Sequence, residues 1–459
     1  MNKVKLFLLP LLLTTFVLYL SFHNQLWVSF WKTLNIPAVI PPFSDLDSIS
    51  KTLLSKNQGY NVYLNNPLDP AHGPYMYPSI WLLIFDFLNL ENIFYFKIFN
   101  FFIILIYFLI LQDLLNKEKS RLLKILILIF FFSTTNFLII ERLNIEMIIF
   151  SLIYLAIVCK NDLLKVFFFL SAFIGKIFPI FSIFFLINNK KNFLLALFFS
   201  FLYLFFFKDE VYLMTSNMIE YARIFAYGTV SMSKAIYYYS REYNLFIDDD
   251  NYLYLKSTLI FLFLIYAIFI FMLNFKFCQK QIKDQITIDE TMFLSGGGIY
   301  LGTYIFSANV DYRLVFLLLT FPLIIKFKNI FIKYIYIFSC IISFNSFIFE
   351  GEDPYSLFYF VKAGFIYFLK FIIFTIICFY FGKTLNNHLK DSSEKMLTAL
   401  HEMVGTKKTC SVCYTREAGF AFLPCGHASF CESCAQRGLN RGRCFVCRTR
   451  VESIVKIYC

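Results

Sequence analysis

Apolar residues fall in long unbroken runs, not in narrow helical stripes or strand-like alternation. Runs near the roughly 20-residue length that crosses a hydrocarbon core lie at about 4–22, 95–114, 122–140, 143–159, 193–207, 257–277, 291–308, 313–325, 330–349 and 358–381. Two more, 76–90 and 163–187, are harder to place. The second is interrupted by Gly175, Lys176 and Pro179, which predicts a broken or re-entrant helix. The pattern as a whole predicts a mostly α chain built as a polytopic helical membrane bundle of about 10–12 spans. It changes after residue 383. Leu385, Leu389, Met396, Leu397 and Leu400 form a partial apolar stripe, which predicts a soluble linker helix over 384–406. Residues 407–459 are short of apolar runs and rich in cysteine. Three regions follow: a multispanning body (1–383), a linker (384–406) and a small C-terminal domain (407–459).

Composition supports the membrane body. Hydrophobic residues make up 59% of the chain, aromatics 21% and charged residues only 16%, against about 25% charged in soluble domains. The formal charge of +12 is therefore expected in cytoplasmic loops rather than on nucleic acid. With the N-terminus inside and both awkward stretches re-entrant, the clusters Lys117/Lys119/Arg121/Lys124, Lys190/Lys191, Lys276/Lys280/Lys283 and Lys326/Lys328/Lys333 all fall inside. Full crossing of both stretches exports the first cluster, so the re-entrant arrangement satisfies the positive-inside rule better. Both arrangements give an integral multi-pass protein in the lipid bilayer with cytosolic N- and C-termini. No small-x-small cleavage site follows residues 6–20, so the first run reads as an uncleaved anchor.

Of twelve cysteines, five are scattered: Cys159, Cys278, Cys340, Cys378 and Cys459. The other seven, with one histidine, keep a strict rhythm: Cys410, Cys413, Cys425, His427, Cys431, Cys434, Cys444 and Cys447. A C-x-x-C turn presents two thiolates to one tetrahedral ion, so eight ligands make two zinc sites. In a reducing compartment such clusters bind metal rather than form disulfides.

The ligand order of three Cys, one His and four Cys resembles RING fingers. The resemblance covers 410–459 and implies interleaved sites, a cross-brace. Cys410, Cys413, Cys431 and Cys434 would hold one ion, and Cys425, His427, Cys444 and Cys447 the other. It also implies recruitment of a ubiquitin-conjugating enzyme carrying ubiquitin, with Val412, Leu423 and Arg448 at partner-binding positions. Phe445 stands where the family usually has proline, which alters the docking groove. Leu423-Pro424-Cys425-Gly426-His427 and the tail Val455-Lys456-Ile457-Tyr458-Cys459 are similar to the RING of inhibitor-of-apoptosis proteins. That likeness implies a RING homodimer through the tail, with Tyr458 reaching the partner's ubiquitin. Residues 405–459 hold nine Lys/Arg against three Glu. A solvated face near anionic lipid explains this surplus, and no nucleic acid is expected.

Outside loops carry Phe43-Ser44-Asp45-Leu46-Asp47, a Pro/Gly-rich segment from Asn66 to Pro78, Glu141-Arg142-Leu143-Asn144-Ile145-Glu146 and Asn309-Val310-Asp311-Tyr312-Arg313. In that order these resemble polyprenyl-phosphate-dependent glycosyltransferases of the GT-C fold, in the mannosyltransferase-like branch. The resemblance implies a polyprenyl-phosphate sugar donor with Asp45 as catalytic base. Arg142, Lys176, Asp311 and Arg313 would bind substrate, the cations neutralising the lipid phosphate. Simpler roles fit the same residues. Asp45 and Asp47 suit helix capping, and Glu141/Arg142 and Asp311/Arg313 suit interfacial ion pairs. Gly296-Gly297-Gly298 suits close helix approach. The two halves thus propose two activities: a membrane-anchored RING-type ubiquitin ligase, or a membrane glycosyltransferase with the RING as an interaction module.

Overall fold

A computed structural model describes residues 3–69, 73–117, 120–187, 189–217, 220, 223–242, 249–277, 287–350, 356–404 and 410–456. The chain divides into two compact units, one ending at Asn386 and one running from Asn387 to the C-terminus.

The first unit is helical. Among the described residues, three helices are long and apolar enough to cross a membrane: Ile93–Lys117, Asn251–Leu273 and Phe358–Asn386. The number rises to five if two bent pairs each count once: Phe7–Ser21 with Asn24–Thr33, bent by 119°, and Arg121–Phe131 with Thr134–Arg142, bent by 50°. The ten to twelve full-length spans expected from the apolar runs are therefore not matched one for one. Polar residues inside the runs cut them into shorter pieces. Helix Arg121–Phe131 ends at Phe132, and Ser133 caps the next, accepting from Asn136 N–H at 3.3 Å. Between the runs 143–159 and 163–187, Asn161 caps Asp162–Gly175, accepting from Leu163 and Leu164 N–H at 2.9 and 3.2 Å. Such caps satisfy the N–H groups that a helix start leaves unpaired.

The run 163–187 is broken where expected. Its helix stops at Gly175, Lys176 is extended, and a 3-10 turn with Pro179 near its start continues over Phe178–Leu186. The Gly175 carbonyl freed by this break accepts from Trp81 Nε1 at 2.8 Å. The run 76–90 holds the short helix Ile80–Phe87.

Helix Ile288–Phe306 lies at the centre, buried along nearly its whole length. Its glycines let backbone reach backbone. A Cβ at Gly298 would sit 2.1 Å from the Phe181 carbonyl oxygen, and one at Gly296 2.3 Å from that of Phe316. The close approach expected of the triple glycine is present, but the partners are the 3-10 segments Phe178–Leu186 and Asp311–Leu319. Two residue pairs join Ala226–Tyr227 to Asn309–Val310 as an antiparallel ribbon.

The last helix runs unbroken from Leu357 to Val404. No proline interrupts this stretch, so the span over 358–381 and the expected linker helix, as far as Val404, form one element; residues 405–406 lie outside the described residues. In the second unit, Phe420–Leu423 pairs antiparallel with Ser453–Lys456, and helix Glu432–Asn440 packs against them. Phe422, Phe430, Ala435, Cys444 and Val451 make its small core.

Gly298→Ala is expected to cost about 1–3 kcal/mol, the usual penalty of overpacking, because the obstructing atom belongs to backbone. Gly364→Ala, inside a helix with nothing within 4 Å of the added Cβ, is the unobstructed control and should stabilise by up to about 1 kcal/mol. Thermal melts of the purified variants compare the two.

Candidate metal centre and charged cavity

The second unit gathers its eight ligands into two clusters. Cys410, Cys413, Cys431 and Cys434 form one; Cys425, His427, Cys444 and Cys447 form the other, and within each the ligand atoms lie within 4.8 Å of one another. The pairing is interleaved: along the chain the first and third ligand pairs share one cluster and the second and fourth share the other. Each C-x-x-C closes on a tight turn. Tyr414 N–H donates to Cys410 O at 2.8 Å and Arg448 N–H to Cys444 O at 3.0 Å, and Tyr414 and Arg448 take φ of 57° and 60°. Cys431 begins helix Glu432–Asn440, which carries Cys434 one turn on.

These residues fit zinc. A zinc–sulfur bond of about 2.3 Å puts tetrahedral sulfurs roughly 3.8 Å apart, and Cys413 Sγ and Cys431 Sγ are 3.8 Å apart. His427 Nδ1 is buried without a hydrogen-bond partner, an orphan that metal ligation removes. The Thr415 hydroxyl and N–H pull the Cys413 thiol down to about 5 and Thr449 pulls Cys447 down to about 6, while burial and the neighbouring sulfurs push Cys434 up to about 12, a rise that a divalent ion reverses. Thiolates are the form that binds zinc. The donor set therefore suits two zinc ions.

The expected partner-binding residues are mostly at the surface. Val412 is 37% exposed, Leu423 41%, and Arg448 is exposed. Phe445 is half-buried, its ring 6.0 Å from those of Phe422 and Phe430. The larger ring at the usual proline position is thus part of the core edge. Val446, which sequence reasoning passed over, is 55% exposed. Tyr458 lies outside the described residues. Tail residues 453–456 are strand-paired within the unit itself.

The helical unit holds a cavity of about 310 Å³ lined by Lys176, Arg313, Tyr77, Phe178, Tyr312 and Met214 among others. Behind its two cations lies fully buried Glu146. It accepts from Lys176 Nζ at 2.8 and 2.9 Å and from Arg313 Nε at 2.8 Å. The two cations, and not the carboxylate behind them, line the cavity wall. Asn144 links this group to Asp45: its Nδ2 donates to Asp45 Oδ2 at 2.5 Å, and its Oδ1 accepts from Glu146 N–H at 2.9 Å. Burial pushes the Asp45 carboxyl above its ordinary value, against the pull of Arg142, Asn144 and Lys176. Asp45 makes no capping bond in helix Ser44–Asn57.

Two expected substrate-binding residues face elsewhere. Arg142 donates to Ser44 Oγ and Pro37 O at 3.1 Å each and pairs with Glu141 at 3.1 Å. It braces the loop before Asp45 and does not line the cavity. Asp311 is fully buried. It accepts two bonds from Lys370 Nζ, at 2.7 and 2.8 Å, and a third from Ser346. Asp311 and Arg313 are therefore not a pair: each serves a different partner on either side of the ribbon. Glu146 and Lys370 went unassigned from sequence. A lone charge inside an apolar run was the available signal in both.

Residues 406–454 match the family "Zinc finger, C3HC4 type (RING finger)". Three relatives show where the similarity lies. "Apoptosis inhibitor IAP" of Cydia pomonella granulosis virus (isolate Mexico/1963) is 40% identical over 55 residues, 12% of this chain and 19% of that protein. "Baculoviral IAP repeat-containing protein 3" of Homo sapiens is 32% identical over 14% of this chain and 10% of that protein. "E3 ubiquitin-protein ligase APD4" of Arabidopsis thaliana is 34% identical over 11% of this chain and 13% of that protein. The chain spans less than a fifth of the length of each. No solved structure matches it. The C-terminal segment is a RING finger with homologues in inhibitor-of-apoptosis and ubiquitin-ligase proteins. The GT-C likeness has no counterpart in these comparisons.

Two zinc ions per chain are expected by elemental analysis, and Cys434→Ser should lose at least one with loss of folded structure. Glu146→Gln should cost about 3–5 kcal/mol, because it strips two buried cations of their counter-charge. Thermal melts read the second effect.

Proposed function

We propose that the protein is a membrane-anchored RING-type ubiquitin ligase. The observation that carries this reading is the interleaved pair of Cys/His clusters within a segment matched to the C3HC4 RING family. A relative of that segment bears the name E3 ubiquitin-protein ligase. The module supplies no nucleophile. It would bind a charged ubiquitin-conjugating enzyme at Val412, Leu423 and Phe445, with Arg448 bridging to ubiquitin. Catalysis would come from holding the thioester in a reactive pose. The three long apolar helices support the anchor, and the positive-inside pattern supports a cytosolic module, where thiols stay reduced for zinc.

Purified full-length protein should accelerate ubiquitin discharge from a charged conjugating enzyme. Val412→Ala should slow it by at least about tenfold, the effect of roughly 1.4 kcal/mol lost at a contact, while both zinc ions stay bound. No discharge with any of a broad panel of conjugating enzymes would remove the ligase reading.

The charged cavity favours a second reading, transfer of a sugar from a polyprenyl-phosphate donor. Lys176 and Arg313 give it a positive wall suited to a phosphate, and aromatic and aliphatic residues line the rest. Asp45, close enough to Tyr77 of the wall to act on it electrostatically, would be the base. Its carboxyl is raised, so the base form is lost as pH falls through a midpoint above the ordinary aspartate range. Transfer should fall with it and stop in Asp45→Asn. Undiminished transfer in that variant sinks the assignment.

A further inference from the structure

The hairpin that carries Cys444 and Cys447 is basic and unbalanced. Residues 441–450 read Arg-Gly-Arg-Cys-Phe-Val-Cys-Arg-Thr-Arg, four arginines with no carboxylate. Cys444 N–H donates to Thr449 O at 2.9 Å and Val451 N–H to Gly442 O at 3.1 Å. Between these two bonds Arg443 and Arg450 face each other as antiparallel partners. This is the non-hydrogen-bonded kind of cross-strand pair, in which side chains leave on one face and come closest. Like charges placed so destabilise a hairpin. Both arginines are exposed. Among the described residues, no ion pair joins Arg441, Arg443, Arg448 or Arg450 to a carboxylate.

Bound zinc would not cancel the surplus. Three thiolates and a neutral imidazole around a divalent ion leave one negative charge, against four positive ones. A repulsive pair that the fold leaves open is relieved by an external anion, most effectively by oxygens that accept several guanidinium hydrogens. The neighbouring side chains favour one kind of anion. Val446, within the same hairpin, is an exposed aliphatic residue. Phe445 is engaged with Phe422 and Phe430. An aliphatic tip among arginines suits the headgroup layer of a bilayer. Single-stranded nucleic acid instead uses free aromatic platforms. Helix Leu357–Val404, whose first part is long enough and apolar enough to cross a membrane, leads into this unit. A bilayer would then be held at high effective concentration.

We infer that the Arg443/Arg450 face of the hairpin docks on anionic phosphate-bearing lipid headgroups. Only the tether depends on the membrane-anchored reading; the face itself does not. The test separates them. Full-length protein in discs of pure phosphatidylcholine is mixed with vesicles of phosphatidylcholine, with or without phosphatidylserine. Capture of the phosphatidylserine vesicles, weakening as salt rises, is expected. Arg443→Gln with Arg450→Gln should lower the affinity about thirtyfold, from roughly a fivefold loss per basic residue near an anionic surface. The lysine pair, Arg443→Lys with Arg450→Lys, should keep most of the capture. Zinc content is measured in each variant, and Arg448 stays intact because the ligase reading uses it. Where the glutamine pair loses zinc, the wild-type salt dependence decides. Equal capture of neutral vesicles, capture indifferent to salt, or full capture by a zinc-loaded glutamine pair overturns the proposal. So does strong binding of a single-stranded RNA probe without capture of anionic vesicles. Resistance of the protein to alkaline carbonate extraction tests the anchor independently.

Discussion

The second unit depends on its metal ligands. Its apolar core is five buried residues around Phe422 and Phe430, far too little to offset the chain entropy of a domain this size. The interleaved clusters do what the core cannot. They tie the turn at 410–413 to helix Glu432–Asn440, and the segment after Leu423 to the hairpin at 444–447. Phe422 sits in the small core with Phe430, Ala435 and Cys444, close enough to helix Glu432–Asn440 that a Cβ at Gly438 would lie 2.2 Å from its ring. Zinc ligation, the strand pair and this one ring set where Val412, Leu423 and Arg448 stand, and hence which surface a partner meets.

A different economy governs the helical unit. Apolar surface is abundant there, so position is set by the few charges. Glu146 gathers Lys176 from the broken helix and Arg313 from the segment after the ribbon. Lys370 fastens Asp311 and accepts no freedom of its own, donating also to the carbonyls of Ile224 and Ala226 at 2.8 and 3.0 Å. Fully bonded ions of this kind fix one arrangement of neighbouring segments. Together the two groups hold the 307–313 stretch so that Arg313 meets the cavity and Asp311 does not.

Much of this was legible in the sequence. The zinc rhythm gave the eight ligands and the number of sites, because C-x-x-C turns are local, and the RING resemblance supplied the interleaved assignment that the two clusters show. Gly175, Lys176 and Pro179 gave the broken helix for the same reason. The apolar runs were less informative. Hydropathy does not say where Ser133 or Asn345 will turn a run into two short elements, because a polar residue inside an apolar stretch caps a helix only if its neighbours leave room. Pairing was least legible. Asp311 and Arg313 are two residues apart yet serve partners 59 and 167 residues away, and only the packed structure decides that. Glu141 and Arg142 do form the adjacent pair that the sequence suggested.

The central claim is that the zinc-braced module works on a charged conjugating enzyme. Its most direct measurement is the single-turnover rate of ubiquitin discharge with full-length protein, before and after zinc is stripped by a chelator. The account predicts acceleration that disappears with the metal and returns on reloading. A fully zinc-loaded protein that leaves the discharge rate of every conjugating enzyme at its unassisted value would contradict it.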